Sequence, residues 1–331
     1  GVDRMAAASE LRGRVSTDVI QDSRRIAEAF ATASPFRHAV IDEFLAPDFC
    51  RSLVEQFPRF DEAAALNEDG KVGGKATQEQ VRTLGPAYEQ LDDLVQSAAF
   101  RDFIGTLTGI DDLRYDPHYF GGGTHENRQG QDLDPHIDFN YHPLTRQHRR
   151  LNLIIYLNEQ WNDDWGVCLQ LHRDPYREPE DDEIVTVTPL MNRCVLFETT
   201  ERSWHGFERI NLPEHRQSLS RRSFALYYYT TRRPPDETVA EHSTVYVERH
   251  LPERFRVGMT LAQDDVRELK QLLARRDQHL RRLYRRVHEL GGRGTSVYAR
   301  LMKSAYAVEN ATGVKVTVPL KALRAALRRK P

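Results

Sequence analysis

Between residues 136 and 230 the chain breaks into short apolar runs separated by turn residues, and this limits the fold more than any other feature. The runs are His136–Phe139, Leu151–Leu157, Val167–His172, Ile184–Thr188, Cys194–Phe197 and Phe224–Thr230, with Gly, Pro, Asn or Asp in most gaps. Each is too short for a helix that packs on its own and suits a strand of ordinary length. Strands in close succession, without intervening helical patterns, predict a β-sandwich or jelly roll rather than βαβ units.

Helical patterns precede them. Val19-Ile20 through Phe30 suggest one amphipathic helix, and Ala46-Pro47-Asp48 begins another through Phe57 with proline in a favourable first-turn position. A third is read from Tyr88 to Leu107. Pro35–Ile41 reads as a strand, as do Leu113–Tyr115 and His118–Phe120. Residues 59–80 read as loop, and Gly121 to Asp134 as a long polar loop before the candidate site, a frequent place for a lid.

Within the strand region one pattern carries chemistry. His136 and Asp138 are two apart, so on a strand they point to the same side. His205 follows 67 residues after Asp138, in Ser203-Trp204-His205-Gly206, where Gly206 permits close backbone approach. Two imidazoles and a carboxylate are the facial ligand set of non-haem Fe(II), which leaves positions open for co-substrate and dioxygen. The next element is Arg221-Arg222-Ser223-Phe224-Ala225. Arg221, Ser223 and Ala225 share one strand face. A buried arginine needs a partner, and its fork suits a carboxylate. Arg222 is the alternative for that anchor and Arg216 an outside candidate, and solvated strand-entry charges are the plain reading of Arg221 and Arg222.

The ordered set His136-x-Asp138, His205 and Arg221-x-Ser223 resembles the iron(II)/2-oxoglutarate-dependent oxygenases, in their prolyl-4-hydroxylase-like branch. Leu151–Asn158, Trp165–Leu171, Phe197-Glu198-Thr199 and Arg222–Thr230 are similar to the strands around that branch's site, and the likeness spans about residues 36–235. The resemblance implies a mainly β, α+β fold: a double-stranded β-helix (jelly roll, cupin-like) with N-terminal helices and a C-terminal helical appendage. It implies His136, Asp138 and His205 as iron ligands, and Arg221 with Ser223 on the distal carboxylate of 2-oxoglutarate. Tyr119 and Asn152 are implied as further co-substrate contacts. The cofactor set is Fe(II), 2-oxoglutarate and O2, with ascorbate as an in-vitro reductant, and the products include succinate and CO2. Related halogenases replace the carboxylate ligand by Gly or Ala, so Asp138 implies hydroxylation. The chain departs from the pattern in two places: an insertion around Asn211–Ser220, and Val167 where a second glycine is common.

The remaining expectations concern organisation and setting. An N-terminal helical segment is expected over 1–35, the oxygenase domain over 36–240, and a basic helical region over 256–331. The last 71 residues carry seventeen Lys/Arg against six Asp/Glu. Val266, Leu269, Leu273, Leu280, Leu283, Val287 and Leu290 recur at heptad-like spacing, so a helix of about thirty residues is expected, ending at Gly291-Gly292 and able to form a homodimer seam over 261–290. Ala305–Gly313 and Lys321–Arg329 read as further helical pieces. Cys50, Cys168 and Cys194 read as buried reduced thiols. Net charge −2 gives no reason to expect nucleic-acid binding, no apolar run is long enough to span a bilayer, and a cytoplasmic setting is expected. The expected substrate is a small molecule, a sugar or nucleotide, or a free or peptidyl amino acid, met by the Gly121–Asp134 loop, Ile184–Leu190, and candidates His142, Arg146 and His172. The rival reading is a non-catalytic jelly-roll metal- or ligand-binding protein acting through its C-terminal helix.

Overall fold

The computed structural model describes residues 9–65 and 75–313, with backbone alone over 290–300 and at 303 and 306. Residue contacts divide the chain into two units, Gly1–Pro252 and Glu253–Pro331.

The first unit is built on two antiparallel sheets. The larger joins β1 (His38–Ile41), β2 (Lys75–Gln78), β3 (Gly123–Asn127), β5 (His148–Tyr156), β8 (Cys194–Glu198) and β10 (Arg221–Thr230) in the order β1-β8-β5-β10-β3-β2. The smaller joins β4 (Leu133–Ile137), β6 (Leu169–His172), β7 (Ile184–Val187), β9 (Trp204–Phe207) and β11 (Val245–Tyr246) in the order β11-β4-β9-β6-β7. This crossing between facing sheets is the jelly roll anticipated from the strand runs.

The period of two sorts the side chains of the large sheet. Leu151, Leu153, Ile155, Leu196, Phe224, Leu226 and Tyr228 face a layer of helices and join one core with Phe30, Phe44, Leu53, Leu91, Phe100 and Ile104. Tyr156, Val195 and Phe197 face the small sheet and pack with Leu169, Leu171 and Val187. The helices are α1 (Thr17–Gln21), α2 (Ser23–Thr32), α3 (Pro47–Glu55), α4 (Pro86–Gln96) and α5 (Ala98–Thr108). Phenols pin this layer: Tyr88 donates to the Leu53 carbonyl at 2.7 Å, and Tyr228 to the Val95 carbonyl at 2.6 Å.

Several expected boundaries move. The helix read from 88 to 107 is two helices, because Ser97 is extended and its hydroxyl caps α5 through Phe100 N–H at 3.2 Å. The helix read across 19–30 is likewise split, at Asp22. Residues 113–120 form no strand: Arg114 makes a single bridge to Tyr229, and Asp116 folds the chain into a turn by accepting from the N–H groups of His118 and Phe120. Gly121–Asp134, expected as a loop, supplies β3 and the start of β4, and residues 59–80 hold β2. Their sequences, Lys75–Gln78 and Gly123–Asn127, are mostly polar, so hydrophobic alternation does not mark them.

The second unit contains one helix, α6 (Gln263–Thr312), of 50 residues. It begins where Asp265 accepts from Ala262 N–H at 2.8 Å, and Arg254 pairs with Glu268 beside that turn. Gly291-Gly292 does not end it, contrary to expectation. A helical glycine costs about 1 kcal/mol but stops nothing unless it turns left-handed. That happens at Gly313, with φ of 74°. Ala305–Gly313 is therefore the end of this helix rather than a separate piece, and Lys321–Arg329 lies outside the described residues. Leu273, Leu280, Leu283 and Val287 are exposed. No helix among the described residues is long and apolar enough to cross a membrane. All three cysteines are buried and unbonded.

Candidate active site

The small sheet brings the two histidines together. β4 and β9 pair so that His136 lies opposite His205, with ring centroids 4.2 Å apart. The register slips between Leu133 and His136, at Pro135, which has no N–H to give a ladder. Gly206 makes room for that irregularity: a Cβ there would stand 2.5 Å from the Leu133 carbonyl oxygen. Asp138 follows just past the end of β4. Its carboxylate reaches 3.5 Å from His136 Nε2 and 3.6 Å from His205 Nε2. Among the described residues these three form the one cluster able to hold a metal, with ligand atoms within 4.8 Å of one another.

Their protonation suits a cation. His136 Nδ1 lies 2.9 Å from the Asp134 carbonyl and His205 Nδ1 lies 2.8 Å from the Ser203 carbonyl. Each Nδ1–H can donate there, which turns Nε2 and its lone pair inward. Burial, and then the neighbouring His136 ring, push His205 down to about 3, so its imidazole is neutral. Burial alone would raise the Asp138 carboxyl. The Arg149 guanidinium opposes this, and the group is held well below the carboxylate range.

Arg149 was not singled out from sequence. It is buried, 3.2 Å from Asp138 Oδ2, and stacks 3.6 Å over the Tyr227 ring. Strand alternation would put Arg150 beside Asn152 on the inward face. A bulge opposite, between Tyr228 and Tyr229, brings Arg149 inward, while Arg150 turns to Thr230 and Glu198. Asn152 links the pair: its Nδ2 donates to Asp138 Oδ2 at 2.9 Å, and its Oδ1 accepts from Arg149 at 2.9 Å. It therefore orients the carboxylate, a role different from the co-substrate contact implied by resemblance. Tyr246 on β11 pairs opposite His136 and lays its ring 5.2 Å from that imidazole.

Across the cavity, Arg221 is inward and buried. It donates to Asn127 Oδ1 at 3.1 Å and to the Tyr156 hydroxyl at 3.4 Å, and lies against the rings of Tyr156 and Phe207. Its Nε and the Ser223 hydroxyl are buried without a hydrogen-bond partner among the described residues. Such orphaned donors fit a carboxylate ligand, because leaving each unmet costs about 1–3 kcal/mol. Arg222 faces the other way, to Glu126 and over Phe57, and Arg216 lies on the exposed side of Trp165.

Other sequence candidates are not brought here. Tyr119 packs against Phe224 on the helix-facing side, and its hydroxyl donates to Asp92 at 2.5 Å. The implied co-substrate contact is corrected by this placement: strand spacing does not hold at 118–120, where the Asp116 turn aims the ring at the helices. His142 is buried 3.2 Å from Asp116, Arg146 pairs with exposed Glu241, and His172 bonds Asp182 at 2.8 Å.

Two facing antiparallel sheets that hold a His-x-Asp…His set define a jelly-roll protein with a candidate metal site. Residues 122–229, about a third of the chain, match the family model of the 2OG-Fe(II) oxygenase superfamily. No curated protein matches. Among solved structures the chain is similar to a prolyl hydroxylase from Trichoplax adhaerens in complex with a hypoxia-inducible-factor peptide (16% identity, 65% of this chain and 93% of that one, TM-score 0.44). It is also similar to a Pseudomonas putida prolyl-4-hydroxylase (18%, 63% and 99%, 0.42) and to HygX from Streptomyces hygroscopicus with nickel and 2-oxoglutarate bound (14%, 70% and 99%, 0.43).

Proposed function

We propose that this chain is a 2-oxoglutarate-dependent dioxygenase that hydroxylates an unactivated C–H bond of a small-molecule, sugar or nucleotide, or amino-acid-type substrate. His136, Asp138 and His205 hold Fe(II) through two Nε2 atoms and a carboxylate oxygen. Arg221 and Ser223 hold the distal carboxylate of 2-oxoglutarate. With O2, the loaded centre supplies oxidative decarboxylation to succinate and CO2, coupled to oxidation of the substrate. The protein's own part is placement. Arg149 and Asn152 fix the Asp138 carboxylate, the two carbonyl acceptors fix the imidazoles, and the apolar wall of Phe197 and Leu171 limits water. The observation that supports the reading is the pair of buried donors without a partner among the described residues, Arg221 Nε and the Ser223 hydroxyl, in the same β-sandwich as the His136–Asp138–His205 cluster. A scaffold that only bound metal would have no use for an inward guanidinium without a carboxylate. The test is a metabolite panel scored by 2-oxoglutarate consumption and by the gain of one oxygen atom in the product. Oxidation without oxygen gain, such as desaturation or epimerisation, would overturn hydroxylation while leaving the family chemistry intact.

A second proposal concerns α6. Val266, Leu273, Leu280 and Val287 recur every seven residues and are exposed, and Leu283 adds to the same seam. This pattern supports a homodimer through that helix.

A further inference from the structure

The registers of three neighbouring strands align two cations. Lys75 on β2 pairs with Asn127 on β3, and Asn127 pairs with Arg221 on β10. Cross-strand partners project to the same side, so Lys75, Asn127 and Arg221 form one inward row. The next row is Thr77, His125 and Ser223, with Tyr156 beyond on β5. Lys75 therefore lies on the same sheet face and in the same row as Arg221, the proposed anchor of the 2-oxoglutarate distal carboxylate.

Nothing among the described residues neutralises the row. Arg221 meets an amide oxygen, a phenol and two ring faces, none of which carries charge. Lys75 has neither a hydrogen bond nor an ion pair with any described residue. His125, buried between them, is held far below the ordinary imidazole value by burial and then by the Lys75 and Arg221 cations, so it is neutral. Lys75 is exposed as a residue, yet burial and then the Arg221 cation lower its ammonium from the usual lysine value. The residue is exposed on its edge strand, while its ammonium is crowded by protein and by the Arg221 cation. Two like charges turned toward one space, with no acid between them, repel unless an anion sits there.

We propose that Lys75 is a second cationic contact for the distal carboxylate of 2-oxoglutarate, on the far side of it from Arg221. The clamp is then two-sided: the guanidinium fork and Ser223 hydroxyl from β10, and the ammonium from edge strand β2. A single carboxylate cannot fully offset two cations, so the clamp favours a dianionic co-substrate over a 2-oxo acid that ends in a methyl group. The inference rests on the reading of Arg221 given above, and its test separates the two.

The experiment is calorimetric titration of the Fe(II)-loaded full chain, without oxygen, with 2-oxoglutarate and with 2-oxopentanoate, which has a methyl group where the distal carboxylate stands. Lys75→Met should weaken 2-oxoglutarate about three- to tenfold and leave 2-oxopentanoate unchanged, and Lys75→Arg should restore most of the loss. Lys75 opens an edge strand, so the substitution spares the core. Arg221→Gln should weaken 2-oxoglutarate more, by about a hundredfold, with Arg221→Lys as the milder variant if the first fails to fold. Unchanged 2-oxoglutarate affinity in Lys75→Met, alongside a loss in Arg221→Gln, overturns the Lys75 contact alone. Unchanged affinity in Arg221→Gln overturns the anchor itself. An equal loss for both ligands in Lys75→Met would mean general damage and would also overturn the clamp.

Discussion

His136 and His205 stand directly opposite each other on β4 and β9, and each lies within hydrogen-bond distance, through Nδ1, of the carbonyl two residues before it. The same local geometry occurs twice, on two antiparallel strands, and leaves both Nε2 atoms toward Asp138 at 3.5 and 3.6 Å. The ligand set is therefore prearranged by backbone alone, with only the carboxylate held by side chains.

That carboxylate is held by Asn152 and Arg149, which leads to a first expectation. Asn152→Ala removes the 2.9 Å bond to Asp138 and an acceptor for Arg149. Metal affinity should fall about 10- to 100-fold, read by competition against a chromophoric chelator, with the fold retained.

Gly206 is a packing requirement of the same pair of strands. The alanine methyl would meet the Leu133 carbonyl at 2.5 Å and the Pro135 nitrogen at 3.0 Å, both backbone atoms that cannot turn aside. Gly206→Ala should cost about 2–3 kcal/mol in urea unfolding and loosen metal binding, because β4 must shift away from β9.

The metal-free protein should lose stability on mild acidification. Buried His125 has a lowered pKa when folded, so below the unfolded value near 6.5 the unfolded chain takes up a proton that the folded chain refuses. Its contribution is complete above that value and declines as pH falls through it. Between pH 7 and 5.5 the His125 share of the loss should be about 1 kcal/mol, and His125→Gln should remove that share while leaving the part due to His205. Asp138, held low, adds its own loss only below about pH 4.

The helix seam gives a concentration-dependent expectation. Light scattering of the full chain at micromolar concentration should show a dimer, and Leu273→Glu with Leu280→Glu should give a monomer with metal binding unchanged. A monomeric full chain would remove the homodimer from the account.

The legibility of this chain in its sequence varied with local physics. The strands that carry Leu151–Leu157 and Cys194–Phe197 show themselves because both faces are apolar, one toward helices and one toward the small sheet. The triad is legible because the His136-x-Asp138 pair, the apolar strands, His205 and then an Arg on a later strand follow one another in that order. β2 and β3 are not, since Lys75, Thr77, His125 and Asn127 are polar on the inward face and resemble loop. Arg149 is hidden by a bulge that breaks alternation, and Tyr119 is displaced by an Asp116 turn whose side-chain bonds no periodicity reveals. The long helix was cut short at Gly291-Gly292 because glycine marks an end only when its φ is positive.

The most direct measurement is succinate release by the purified chain with Fe(II), ascorbate, 2-oxoglutarate and air, in the absence of any added substrate. The account predicts slow uncoupled turnover that a chelator abolishes and that Asp138→Ala lacks, since that substitution removes one of three ligands and strands Arg149 without its carboxylate. Succinate formed at the same rate by Asp138→Ala, or none formed by wild-type protein that binds both Fe(II) and 2-oxoglutarate, would contradict it.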